Sequence, residues 1–186
     1  MNTLGNTMIK YFLEDGIFWG IHNNKGKFDT RHVDFGHTLK SYWMLYLLDK
    51  RLPAHPYKDI LDKHAHFWLD LAYDKENGTW GEKMLKDENG KLYAKYGSLW
   101  WSYAELDQVA ATLNMANGPK KTGYTEKLTR TAKHWLDGFV DKQYKEVYFS
   151  IKRDGSKGWD WKVDDVMKCF LWKNGFHSAE HALVMY

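Results

Sequence analysis

The sequence predicts a mainly α fold of stacked helical hairpins, a solenoid or, if closed on itself, a toroid of inner and outer helices, with short β-hairpins on one rim. Three observations lead there. The turn triplets Asn24-Lys25-Gly26, Glu88-Asn89-Gly90 and Arg153-Asp154-Gly155 recur with their glycines 64 and 65 residues apart, a period of repeat size. Amphipathic helical segments run into the second and third of these stretches. Aromatic residues, at 17% of the chain with 10 Trp, supply the large apolar side chains that helix-on-helix packing consumes.

The elements follow in order. Ile17-Phe18-Trp19 reads as a strand before the first triplet, and a helix is expected to start near Gly36-His37. Ile60, His64, Phe67, Trp68 and Leu71 fall on one face of a helix ending near Asp74. The second triplet, followed by Lys91-Leu92-Tyr93, predicts a hairpin, and a further helix starts near Ser98-Leu99-Trp100-Trp101. Leu128, Ala132, Trp135, Leu136 and Phe139 define another helix ending near Asp141. Val147 to Ile151 reads as a strand before the third triplet, and a last helix begins at Gly175-Phe176-His177. In a closed ring the hairpin loops share a rim and the inner helices start there, so His37, Trp100 or Trp101, and His177 would face one cavity.

Composition removes several functional classes. The 186 residues fit one domain, 1–186, with a core of its own. The net charge is +3, with no block of like charges, so no nucleic-acid footprint is present. The longest apolar runs, such as Tyr42 to Leu48, are too short to span a bilayer, and the N-terminus lacks the pattern of a secretory signal. The single cysteine, Cys169, forms no intramolecular disulfide and suits a reducing compartment. A cytoplasmic protein is the expectation.

FGHTLKSYWML at 35–45, LWWSYAEL at 99–106 and WKNGFH at 172–177 resemble three motifs of the N-acylglucosamine 2-epimerase superfamily, which includes cellobiose 2-epimerases and mannose-type aldose-ketose isomerases. The motifs stand in the family's order. The resemblance implies an (α/α)6 barrel of which this chain corresponds to the C-terminal half. The chain is then expected to be either a fragment of a longer protein or a half-ring that pairs with another copy, as a homodimer, or with a complementary N-terminal half. It implies that His37 and His177 are the acid and base pair, that Trp172 packs on the sugar, and that Trp100, Trp101 and Glu105 hold the ligand. Two positions depart from the family. Tyr103 stands where a glutamine is usual, which would alter substrate contacts. Lys40 stands where a glutamate assists the histidine, and a cation there is expected to lower the imidazole pKa without orienting the ring.

The chemistry gives its own reason for two histidines. Epimerising or isomerising an open-chain sugar removes the weakly acidic C2 proton and returns a proton to the opposite face or to C1. Histidine accepts and donates near neutral pH, so a pair of imidazoles serves both steps. No cofactor is required. The expected substrate is a small sugar, with neither nucleic acid nor membrane as a partner.

Other readings compete for the same residues. His177-Ser178-Ala179-Glu180-His181 matches H-x-x-E-H, an inverted zinc-protease signature. That class takes its third ligand from well downstream, whereas five residues follow His181 here. WKNGFH accounts for His177 better, so no metal is expected, and Glu180 and His181 become next-turn residues that line the pocket or orient His177. Asp160, Asp164 and Asp165 would be the carboxylates of a glycoside hydrolase on a similar ring, without a supporting motif. The main alternative, ahead of the hydrolase, is a non-catalytic sugar-binding or regulatory half-toroid fragment, favoured by Lys40 at the usual glutamate position and by the missing half. His64, His66 and His134 lie within helical patterns and read as packing or surface residues, and Trp19, Trp68 and Trp135 as packing.

Overall fold

The computed structural model describes residues 2–28, 33–118, 122–153 and 173–186. Helix α1 (Asn2–Phe12) leads through the β1 (Leu13–Glu14) and β2 (Ile17–Phe18) hairpin and a 3-10 turn (His22–Asn24) to α2 (Phe35–Asp49). Helix α3 (Lys58–Ala72) is followed by β3 (Tyr73–Asp74), β4 (Thr79–Lys86), β5 (Leu92–Tyr96) and β6 (Ser98–Leu99). Then come α4 (Trp100–Asn117), α5 (Tyr124–His134) with a π turn (Trp135–Phe139), β7 (Ser150–Ile151) and α6 (Phe176–Met185). All strand pairs are antiparallel.

Helix α4 is the centre. It packs between α2 and α6, while α3 lies on α2 and α5 lies on α4, which gives two layers of helices. Nearly every side chain of α4 from Trp100 to Leu113 is buried, including Glu105, Asp107 and Gln108. A helix enclosed on all sides cannot carry acidic groups without partners, so these must be satisfied by neighbouring helices.

The predicted helix starts at Gly36, Trp100 and Phe176 agree with the structure. The faces shift slightly. Helix α3 buries Leu61, Ala65, Trp68, Leu69 and Ala72 and leaves Phe67 half exposed, because packing against α2 selects the stripe one position away from the one expected. Leu136 is likewise exposed, whereas Trp135 and Phe139 are buried.

Of the three expected turns, Glu88-Asn89-Gly90 closes the β4 and β5 hairpin, where Asp87 accepts the amides of Asn89 at 2.9 Å and Lys91 at 2.8 Å. The first hairpin turns instead at Asp15-Gly16, both at positive φ (53° and 77°). Two such residues match the right-handed twist of a two-residue hairpin, which Asn24-Lys25-Gly26, beyond the strand, does not supply. Tyr42 and Trp68 both donate to the Gly16 carbonyl, pinning this turn to the core. The third strand pairs not with a local partner but with β6, and Val147 bridges Val140. Arg153 donates to both oxygens of Asp74, at 2.6 and 3.1 Å, and Asp154 and Gly155 lie outside the described residues. No described helix is long and apolar enough to cross a membrane.

Candidate active site

The first turns of α2, α4 and α6 meet on one rim, and each delivers part of a site. Asp34 is the N-cap of α2: its Oδ1 accepts the His37 amide at 2.7 Å, closing the exposed end of the helix. Its Oδ2 accepts from His37 Nδ1 at 2.6 Å, so the cap also orients the imidazole. Gly36 has a separate cause. A Cβ there would lie 2.6 Å from the Trp101 ring and 2.7 Å from Ser102 Oγ, so only glycine allows α4 to approach.

That approach brings the Trp101 ring close to both histidines. Its ring centroid lies 4.6 Å from that of His37, edge to face, and 5.9 Å from that of His177. His177, in the first turn of α6, bonds through Nδ1 to Glu105 Oε1 at 2.7 Å. Both imidazoles are thus oriented by a carboxylate on Nδ1, which sets Nε2 as the acceptor in the neutral ring. The two side chains remain partly open, 40% for His37 and 27% for His177.

Glu105, buried with only 1% of its side chain exposed, is shared. Its Oε2 pairs with Lys40 Nζ at 3.0 Å, and the same ammonium donates to Glu180 Oε2 at 2.6 Å. Lys40 also lies 4.5 Å from the Trp43 ring and 5.6 Å from that of Phe176. Glu105, His177 and Glu180 bring ligand atoms within 4.8 Å of one another, a donor set that suits a cation. The ammonium of Lys40 already serves two of these three groups.

One turn further along α6, His181 Nε2 bonds to Asp107 Oδ2 at 2.8 Å, with both side chains buried. Asp107 Oδ1 accepts from Trp80 Nε1 at 2.8 Å and from Thr131 Oγ1 at 2.6 Å, and the Trp135 ring lies 4.2 Å from that of His181. Helix α6 is therefore fastened to α4 by two rungs, His177 to Glu105 at the rim and His181 to Asp107 in the core.

Several expectations change. Trp100 is 2% exposed beneath Phe149, with the Lys173 ammonium 5.7 Å from its ring, so it supports His177 from below and offers no face to a ligand. His181 is buried and bonded to Asp107, so it is a core residue and not a rim one. Tyr103 points the same way, donating to the Thr131 carbonyl at 2.9 Å, away from the rim. Lys40 does not depress His37. Burial would lower that imidazole's pKa, but the hydrogen bond and charge of Asp34 and the charge of Glu105 outweigh burial and raise it. His66 bonds to Tyr124 and His134 stacks on Tyr103, in packing roles as expected. Trp172, Asp160, Asp164 and Asp165 lie outside the described residues.

Two further groups, Asp34 and Glu82, belong to the surroundings of the site. Asp34 is legible in hindsight as an N-cap three residues before His37. Glu82 sits at the bulge between Gly81 and Lys83 of β4, and burial, reinforced by the charge of Asp34 against the opposing Lys83 and Lys95, pushes its carboxyl up to about 7. No sequence pattern marks it.

The fold, though not the site itself, finds its counterpart among solved structures. D-mannose isomerase superimposes with a TM-score of 0.74 at 16% identity, over 99% of this chain and 48% of that one. This chain is similar in fold to that enzyme. The cellobiose 2-epimerases of Spirochaeta thermophila (TM-score 0.72, 16% identity, 100% of this chain and 44% of that one) and Bacillus thermoamylovorans (0.69, 14%, 98% and 45%) match in the same way. The chain thus spans about half the length of the structures it matches. No protein-family model and no curated protein matches the sequence.

Proposed function

We propose that this chain carries a sugar 2-epimerase or aldose-ketose isomerase site in which His37 and His177 move protons at C2 of an open-chain sugar. The observation that carries the reading is the Asp34-His37 and His177-Glu105 pairs meeting across one indole, Trp101. The sugar lies over the partly open Trp101 ring, which suits the apolar face of a pyranose-derived chain. One imidazole takes the C2 proton while the enediolate forms. The other returns a proton to the opposite face, giving the epimer, or the proton passes to C1, giving the ketose. His37, raised in pKa and held by Asp34, is the proton donor in this scheme, and His177, oriented by Glu105, is the acceptor. Glu180 shares Lys40 with Glu105 and is the second carboxylate available to the sugar hydroxyls in this scheme.

The chain corresponds in this reading to half of an (α/α)6 ring, and a second copy or a complementary half closes the cavity. The test is deuterium incorporation at C2 from heavy water with mannose, N-acetylmannosamine or cellobiose, followed by proton NMR, with the particle mass recorded alongside. Incorporation that vanishes in His177→Ala supports the proposal. Sugar binding without incorporation supports a non-catalytic sugar-binding module instead, and release of reducing ends would point to hydrolysis.

A further inference from the structure

Lys40 is the residue whose chemistry the proton-transfer scheme leaves unused, and its surroundings are unusual for a lysine. It projects from the second turn of α2, is mostly covered (22% exposed), and reaches carboxylates on two other helices, Glu105 of α4 and Glu180 of α6. Glu105 is the more deeply buried of the two, at 1% exposure against 21%. Its two oxygens are divided: Oε1 meets His177 Nδ1 at 2.7 Å and Oε2 meets Lys40 Nζ at 3.0 Å. A buried carboxylate facing only a neutral imidazole has its charge uncompensated, and rotation about its terminal torsion costs little. The ammonium supplies that charge as an ion pair, without a hydrogen bond to Oε2, and its attraction holds Oε2 on the Lys40 side, so Oε1 stays aimed at the imidazole.

We propose that Lys40 is a positioning residue for His177, acting through Glu105: the ammonium, itself steadied by Glu180, Trp43 and Phe176, clamps the carboxylate that orients the ring. The groups around this clamp are Glu105 from α4, Glu180 and His177 from α6, and Asp34 and His37 from the start of α2. Lysine therefore orients a histidine after all, indirectly and on the opposite helix from its sequence neighbour His37. The consequence for turnover rests on the sugar-isomerising reading, but the geometry does not.

The experiment compares the parent chain with Lys40→Met, Lys40→Gln and Lys40→Arg. Its first arm needs no substrate. The Nδ1 proton of His177, bonded to a buried carboxylate, gives a proton resonance downfield of the amides, assigned by its loss in His177→Ala. The proposal expects this signal to persist in Lys40→Arg and to weaken or move upfield in both neutral variants. The second arm is C2 exchange, where the neutral variants lose about 10- to 100-fold in kcat with KM little changed and Lys40→Arg recovers most of the rate. An unchanged His177 signal in a folded Lys40→Met or Lys40→Gln overturns the clamp. Absence of exchange in the parent with every sugar defeats the isomerase reading alone, and the first arm still decides the role of Lys40.

Discussion

The Trp101 ring stands edge to face with His37, 4.6 Å between centroids, and this contact exists because Gly36 leaves no Cβ between α2 and α4. The site therefore depends on a missing methyl group as much as on its polar residues. Gly36→Ala is expected to destabilise the fold by about 1–3 kcal/mol through overpacking against Trp101 and Ser102. Urea denaturation measures the loss, and C2 exchange should fall with it as Trp101 is displaced.

The buried rung beneath the site makes a second prediction. Asp107 accepts from Trp80 and Thr131 and pairs with His181, all without solvent. Asp107→Ala leaves those donors unsatisfied and should cost about 3–5 kcal/mol in thermal or urea unfolding. A cost below about 1 kcal/mol would show that the α4 and α6 contact does not rely on this network.

Glu82 gives a pH dependence. Its carboxyl titrates near 7 in the fold against an ordinary 4.5, so between those values the folded chain keeps a proton that the unfolded chain has lost. Stability therefore falls as pH rises from 4.5 to 7 and carries the full penalty above 7. At about 1.36 kcal/mol per unit, Glu82→Gln should stabilise the protein at pH 8 by up to about 3 kcal/mol and have little effect at pH 4. Urea midpoints measured across this range test the sign.

Asp34 acts on His37 in the opposite sense. The raised imidazole pKa contributes stability that is fully present below the ordinary value of 6.5 and is lost as pH rises through the folded value. Asp34→Asn should lower the His37 pKa, leaving burial as the dominant influence, and remove that contribution. An NMR titration of the His37 ring protons reads the shift directly, and a pKa that stays put would assign the increase to another group.

Much of this was legible in the sequence where the signal is local. Helix starts at Gly36, Trp100 and Phe176, and the Glu88-Asn89-Gly90 hairpin, follow from turn chemistry and apolar periodicity. The first hairpin is the exception: Asn24-Lys25-Gly26 fits the repeat period, whereas the structure uses the purely local Asp15-Gly16 turn. What spacing could not show is the division of Glu105 between His177, 72 residues away, and Lys40, or the reach of Lys40 to Glu180 across 140 residues. These pairings depend on which face of α4 turns to which neighbour. The same rotation carries Trp101 and Glu105 to the rim and sends Tyr103 and Asp107 into the core.

The central claim is that His37 and His177 serve one bound sugar. The most direct measurement is a titration of the parent chain with mannose or cellobiose while the ring resonances of both histidines are followed by NMR. Both sets should move along a single saturation curve, and both responses should disappear in Trp101→Ala. Movement of one histidine alone, or of neither while sugar binds elsewhere, would contradict the account.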